Sequence, residues 1–150
     1  MIGSAFAPAP WQAILDAHQE YFEDADARMR MAFLPRFRAG EDGRACSVVQ
    51  RQSTPVPMLA WEEEGGRIVA REGVFRGLDQ LDADLLFVAN DGALEDVLAY
   101  PEETALGEMK RKIRSGAIQI FVLRSREMLR ELGYEDFMEL LGLPFLGACR

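Results

Sequence analysis

The chain has few side chains whose types and spacing could support catalysis. His18 is the only histidine, and a histidine can act as a general base because its pKa lies near neutrality. Cys46 is the nearest candidate nucleophile by type, but a cysteine–histidine enzyme holds the two side chains within hydrogen-bond reach, and nothing in the sequence brings Cys46 to His18. We therefore interpret His18 as a half-buried helical residue with its polar edge at the surface. No catalytic residue is assigned, and a protein without enzymatic activity is favoured.

An acidic turn is the second candidate. Asn90, Asp91 and Gly92 follow an apolar run at the carboxyl end of an expected strand. Asp91 could bind a metal ion or a ribose hydroxyl there, since ligands of open α/β sheets bind at that end of the strands. A metal site needs several oxygen ligands, and no such partner stands beside Asp91, so we predict no metal and no cofactor. The favoured interpretation is a strand end in which Asp91 caps a helix that begins near Gly92.

Basic residues form a third group of candidates. Six arginines fall within 24 residues: Arg28, Arg30, Arg36, Arg38, Arg44 and Arg51. They could form an anion-binding patch, with Phe33 and Phe37 between them as stacking groups. The alternative is that they are solvated and pair with the acidic residues that precede them. The first four, Arg28, Arg30, Arg36 and Arg38, are predicted to be a surface for a partner.

A small-ligand pocket between the helices and the sheet is also considered. Its lining would include Arg36, Trp61, Asp91 and His18. An arginine in an apolar cavity suits a carboxylate or phosphate ligand, because the guanidinium group can bind two of its oxygens at once.

The composition narrows the class of protein. The 150 residues fit a single domain over 1–150 with a continuous core, and the small, proline-rich residues 1–9 are expected to be a loose leader. Acidic residues outnumber basic ones by 25 to 17, for a net charge of −8, which argues against nucleic-acid binding. The two cysteines lack metal or disulfide spacing, which favours a cytoplasmic protein. No apolar stretch approaches the roughly 20 residues needed to cross a bilayer, so no membrane association is expected.

Periodicity and turn residues predict the elements. Apolar residues at intervals of three and four predict an amphipathic helix over 10–27, or as far as Phe33, with Pro35 as its stop. Strands are predicted at residues 46–52, 56–64, 67–77, 84–90 and 118–124. Gly65 and Gly66 predict a tight hairpin between the second and third of these. Further helices are predicted at 93–100, from Pro101 to 115, at 126–132 with Ser125 as its cap, and at 134–141.

These elements predict an α+β fold in a single domain. The sheet is expected to have five strands, to be mainly antiparallel, and to carry the N-terminal helix and the C-terminal helices. The apolar strands 84–90 and 118–124 are expected to be buried on both faces and to lie centrally. A mixed sheet is the alternative, because these two strands flank a helical crossover and could be parallel.

The function is interpreted from two features of the sequence. Acidic and basic residues occur in separate blocks, and no group of residues has the spacing of a known catalytic site. We interpret the chain as a non-catalytic interaction or regulatory protein that binds another macromolecule, a protein of unknown identity, through a charged or apolar surface. A homodimer is included in that interpretation. The alternative is a domain or enzyme that binds a small anionic ligand between its helices and its sheet.

Overall fold

The computed structural model describes residues 5–36 and 56–143. These residues form one α+β unit around a mixed five-stranded sheet. The strands are β1 (Arg30–Pro35), β2 (Val56–Glu64), β3 (Arg67–Phe75), β4 (Leu85–Ala89) and β5 (Ile118–Val122). Their order in the sheet is β3-β2-β1-β4-β5. The helices are α1 (Pro8–Asp16), α2 (Ala93–Leu98), α3 (Ala105–Ser115), α4 (Arg126–Leu132) and α5 (Glu135–Leu140), with 3-10 turns at Gln19–Phe22 and Leu78–Gln80. The predicted fold class is confirmed, while the predicted strand 46–52 lies outside the described residues.

The middle strand of the sheet, β1, lies in a segment for which a helix was predicted. Helical spacing is realised only in α1 and the 3-10 turn that follows it, so the prediction of a helix over 10–27 is wrong in its second half. The extension to Phe33 is wrong as well. Residues 31–34 are all buried, with alternate side chains on opposite faces of the sheet. A short, continuous apolar run fits a strand covered on both faces as well as it fits a buried helix.

The sheet is mixed, but the parallel pair differs from the predicted one. β1 and β4 are parallel, with Met31 opposite Leu85, whereas β4 and β5 are antiparallel. Between β4 and β5 the chain passes through two helices, α2 and α3, instead of one crossover helix. It therefore re-enters the sheet at the end where β4 stops, where the N–H of Asn90 donates to the carbonyl oxygen of Ala117 at 2.8 Å.

The hairpin of β2 and β3 is confirmed. Gly65 and Gly66 have φ angles of 63° and 89°, and this pair of left-handed conformations makes a two-residue turn that follows the twist of the strands. The nine residue pairs of the hairpin run from Glu64 opposite Arg67 to Val56 opposite Phe75. β3 is an edge strand of the sheet.

Two apolar layers cover the sheet. The first face carries Phe33, Trp61 and Phe87, which pack with α1 and the C-terminal helices. The second face carries Leu34 and Val88, and the described residues packed there include Leu78 and Leu81. All five residues of β4 are buried, which confirms its predicted burial on both faces. The same prediction for 118–124 is wrong, because β5 is an edge strand and only Ile118 is buried.

The ends of several helices follow the predicted signals. The Ser125 hydroxyl accepts a hydrogen bond from the N–H of Met128 at 3.1 Å and so caps α4. The helix predicted from Pro101 begins four residues later, at Ala105. At the N-terminus, Ala5 and Phe6 are buried and the Ala5 carbonyl oxygen accepts from Trp11 Nε1 at 2.8 Å. Ala5 and Phe6 are therefore packed against the core, whereas residues 1–4 of the loose leader expected over 1–9 lie outside the described residues.

Candidate functional site

Two of the predicted ligand-binding residues, Arg36 and Asp91, lie at the same end of the sheet. The Arg36 N–H donates to the carbonyl oxygen of Ala89 at 2.7 Å, and Asp91 follows Ala89 by two residues. Both therefore stand at the carboxyl ends of the parallel strands β1 and β4. Asp91 is exposed, and α2 has Gly92 at its N-cap with no side-chain cap bond. The predicted cap by Asp91 is wrong, since the left-handed Gly92 (φ 82°) starts the helix instead.

The guanidinium group of Arg36 is placed unusually for a surface arginine. Its Nε and Nη2 atoms are buried, and they have no hydrogen-bond partner within the described residues. A buried charge without a partner is costly, so an anion at this position would stabilise the protein.

The other two predicted lining residues, Trp61 and His18, lie elsewhere. Trp61 is fully buried (0% exposed) on the first face, 4.4 Å from Phe33 between ring centroids. His18 follows α1 and is 8% exposed, and its Nδ1 donates to the carbonyl oxygen of Ile14 at 2.8 Å. His18 is thus more buried than expected and directly follows a helix. These four residues form no common pocket in the part of the chain that the structure describes.

The arginines predicted as a partner surface are spread along β1. Arg28 pairs with Asp26 at 2.8 Å, and Arg30 begins β1 while Arg36 directly follows its last residue. Six residues of extended chain separate Arg30 from Arg36 by about 20 Å, so these two belong to different ends of the sheet. The predicted residues Arg38, Arg44, Arg51 and Cys46 lie outside the described residues.

A groove lies on the second face of the sheet, and Arg30 of the predicted partner surface is among its lining residues. Its cavity volume is about 240 Å³. The floor is apolar and made largely of small side chains: Ala32, Met58, Ala60, Gly73, Phe75, Leu81 and Ala83. Gly73 keeps the groove open, because a Cβ atom there would lie 3.0 Å from Met58 Cε. The elements that build the groove are β1, β2, β3 and the segment between β3 and β4.

Ion pairs make the rim of the groove. Glu62 lies between two arginines, with its Oε2 3.5 Å from Arg30 Nε and its Oε1 3.5 Å from Arg71 Nε. Arg30 Nη1 also lies 3.2 Å from Asp82 Oδ2, and Arg71 pairs with Glu64 as well. The rim therefore combines both signs of charge, and each of these five groups already has a partner.

Beside the rim, a buried carboxylate joins three strands to the C-terminal helices. Asp84 is 3% exposed, and its Oδ2 accepts from the Arg30 N–H at 2.9 Å and from the Tyr134 hydroxyl at 2.7 Å. Its Oδ1 lies 3.1 Å from Arg124 Nε. Burial and the neighbouring Asp84 carboxylate raise the pKa of Tyr134 far above its ordinary value, so the hydroxyl stays protonated and can donate. Because both oxygens of Asp84 are bonded within the chain, we assign it a structural role.

Sequence reasoning missed the Asp84 network, although a signal was present. Asp84 directly precedes the buried run of β4, and an acidic side chain at such a position must find a partner. Its partner Arg124 follows β5, and Tyr134 precedes α5. Only the order of the strands brings these residues together, and that order was not predictable from local patterns.

The protein is an α+β domain with a mixed sheet. The groove on the second face of this sheet has an apolar floor and a rim of charged side chains. Comparison with known proteins adds no family: the chain matches no protein-family model, no curated protein and no solved structure. In residues 5–36 and 56–143, no cluster of three or more histidine, cysteine or acidic side chains could hold a metal ion. Every helix in these two ranges is too short or too polar to cross a bilayer.

Proposed function

We propose that this chain is a non-catalytic interaction protein that binds another polypeptide through the groove on the second face of its sheet. One observation carries the proposal: an apolar floor is framed by charges that are already paired with each other. Protein-binding surfaces have this arrangement, with an apolar centre and a polar rim.

The size and charge of the groove favour a polypeptide over a small substrate. Small-molecule sites usually enclose about 300–1,000 Å³, whereas this groove has about 240 Å³ and is open to solvent. That space accommodates one or two apolar side chains of a partner. The paired rim offers hydrogen bonds of both polarities, which suits the mixed surface of a protein better than it suits a small anion.

A substitution that fills the groove with one larger side chain tests this proposal. We expect Gly73→Val to reduce capture of the partner from an extract of the source cell by about tenfold, since overpacking such a site costs about 1–3 kcal/mol. The new side chain would stand against the flexible end of Met58, so the fold is expected to persist. Quantitative mass spectrometry of the captured proteins, with circular dichroism to check folding, measures the effect.

The matched control is Gly107→Val in α3. A Cβ atom at Gly107 meets nothing within 4 Å, and Gly107 does not line the groove. Any protein captured equally by the wild type, the control and Gly73→Val binds outside the groove. If every captured protein behaves in this way, the proposed function is wrong.

The burial of Arg36 favours a second candidate function, the binding of a small anion at the carboxyl ends of β1 and β4. Ligands bind at this position in many sheets that contain parallel strands, and the unpaired Nε and Nη2 atoms could bind two oxygens of a carboxylate or phosphate. This proposal is independent of the groove, which Arg36 does not line.

Inorganic phosphate is the probe for this second site. We expect phosphate to raise the Tm of the wild type beyond the effect of chloride at equal ionic strength, with about 2.7 kcal/mol of stabilisation at one hundred times the Kd. Arg36→Gln should abolish the difference, while Arg111→Gln, at an arginine that is 72% exposed, should preserve it. An equal response of all three proteins would exclude Arg36 as the anion site.

A further inference from the structure

One half of the β3 edge is closed by side chains of the N-terminal segment. The Gln12 amide accepts from the Ala70 N–H at 2.8 Å and donates to the Ile68 carbonyl oxygen at 3.2 Å. Gln19 bonds both backbone groups of Ile68 at 3.1 Å. The two glutamines thus take the place of a neighbouring strand, a means of protecting an edge from other chains.

The other half of the same edge is open. Backbone groups alternate along an antiparallel strand, so those of Glu72 and Val74 point away from β2 as those of Ile68 and Ala70 do. Within the described residues they form no hydrogen bond. Val74 is 50% exposed and is one of only two large apolar side chains so exposed in this part of the chain. This half of the edge is therefore a free pairing surface from residue 72 to the end of the strand.

The free segment is complementary to itself in one antiparallel register. With Val74 opposite Val74 of a second copy, Glu72 of each chain lies opposite Arg76 of the other. Neither Glu72 nor Arg76 forms an ion pair within the described residues, and opposite charges facing each other across strands are favourable. Gly73 then faces Phe75 of the second copy.

Other symmetric registers conflict with groups already in use. A register centred on Gly73 would bring Arg76 against Ala70 of the second copy, whose N–H is bonded to Gln12. A register centred on Glu72 would bring Val74 against the same occupied group. Beyond Arg76 the chain leaves the strand direction at Gly77, which has a φ of 125°. Only the register centred on Val74 pairs all three residues, Glu72, Val74 and Arg76, without meeting an occupied group.

We propose that two copies of this chain associate through the free half of β3, residues 72–76, and form one continuous antiparallel sheet across a twofold axis. The contact is short, and short contacts below the standard interface size give weak, transient complexes. Association is therefore a concentration-dependent equilibrium. Residues 72–76 also line the groove, so this contact lies at the edge of the groove. Sedimentation of the purified chain tests the association of copies without the partner proposed for the groove, and the two proposals can therefore fail separately.

Sedimentation equilibrium of the full chain with charge-exchanged variants is the test. The wild-type mass should rise with concentration from 16.8 kDa toward twice that value. Glu72→Arg and Arg76→Glu should each weaken association by about tenfold, since like charges then face each other twice. An equimolar mixture of the two variants should recover the dimer, because both facing pairs are again of opposite charge.

The mixture makes the result independent of folding defects, since an unfolded variant cannot recover a partner. Glu103→Arg changes the net charge by the same amount as Glu72→Arg, but at an exposed turn away from β3, and it should associate like the wild type. A wild type that stays at 16.8 kDa at all concentrations would overturn the proposal. Dimers that persist in both single variants, or a mixture that remains monomeric, would overturn it as well.

Discussion

Replacing Asp84 with alanine is expected to lower the free energy of unfolding by about 2–5 kcal/mol, because two donors, the Arg30 N–H and the Tyr134 hydroxyl, lose their buried acceptor and each such loss costs about 1–3 kcal/mol. The substitution leaves the Arg30 N–H without its acceptor and leaves Arg124 without its buried partner. It also removes the 2.7 Å bond from the Tyr134 hydroxyl. Urea unfolding followed by circular dichroism measures the change, with the m-value checked for constancy.

Asp82→Ala is the matched control for this prediction. Asp82 pairs with the same Arg124 and also with Arg30, at 3.1 and 3.2 Å, but its side chain is 77% exposed. Exposed ion pairs contribute about 0–1 kcal/mol, so the control should be nearly neutral. Equal losses in the two variants would mean that burial of Asp84 does not determine its contribution.

Gly133→Ala is expected to destabilise the protein by about 2–5 kcal/mol, through the left-handed backbone, which costs about 1–2 kcal/mol, and through a steric clash, which costs about 1–3 kcal/mol. Gly133 has a φ of 93°, and a Cβ atom there would lie 2.3 Å from the Asp24 carbonyl oxygen and 3.1 Å from Ala25 Cα. Both are backbone atoms, and the adjacent Asp26 N–H is bonded to the Leu132 carbonyl oxygen at 3.0 Å. Neither segment can therefore move aside easily.

Gly116→Ala separates the two causes. Gly116 ends α3 with a φ of 85°, as Gly133 ends α4, but a Cβ atom at Gly116 meets nothing within 4 Å. It should therefore show only the conformational cost of about 1–2 kcal/mol. The comparison is made by thermal and urea unfolding of both variants. If the two variants lose equal stability, the close approach of the new Cβ atom to the Asp24 backbone does not contribute to the loss.

Local signals predicted those elements whose form is decided locally. The left-handed pair Gly65 and Gly66 and the Ser125 cap depend on neighbouring residues alone, and the structure confirms them. The apolar run of β4 was also sufficient to predict a strand buried on both faces, because five consecutive buried residues require cover on both sides of the sheet. These features fixed the fold class without any knowledge of strand order.

The remaining features depend on contacts between distant residues. Met31 and Phe33 became strand residues because β2 and β4 supply hydrogen bonds on both sides, which no local pattern reveals. β5 resembles β4 in composition, yet its position at the edge leaves much of it half-buried. The groove and the Asp84 network follow from the same strand order, so the sequence alone could not show which residues meet there, although the position of Asp84 before an apolar run was a signal that it needs a partner.

The Asp84 network also has a consequence for the order of folding. The Tyr134 hydroxyl lies 3.1 Å from the Arg30 carbonyl oxygen across 104 residues of sequence, whereas the turn between β2 and β3 joins neighbouring strands directly. The entropy lost on closing a loop grows with its length, and chains dominated by distant contacts fold slowly. We therefore expect the hairpin to assemble early, and the bond between Tyr134 and the middle strand to form only when the last two helices have packed.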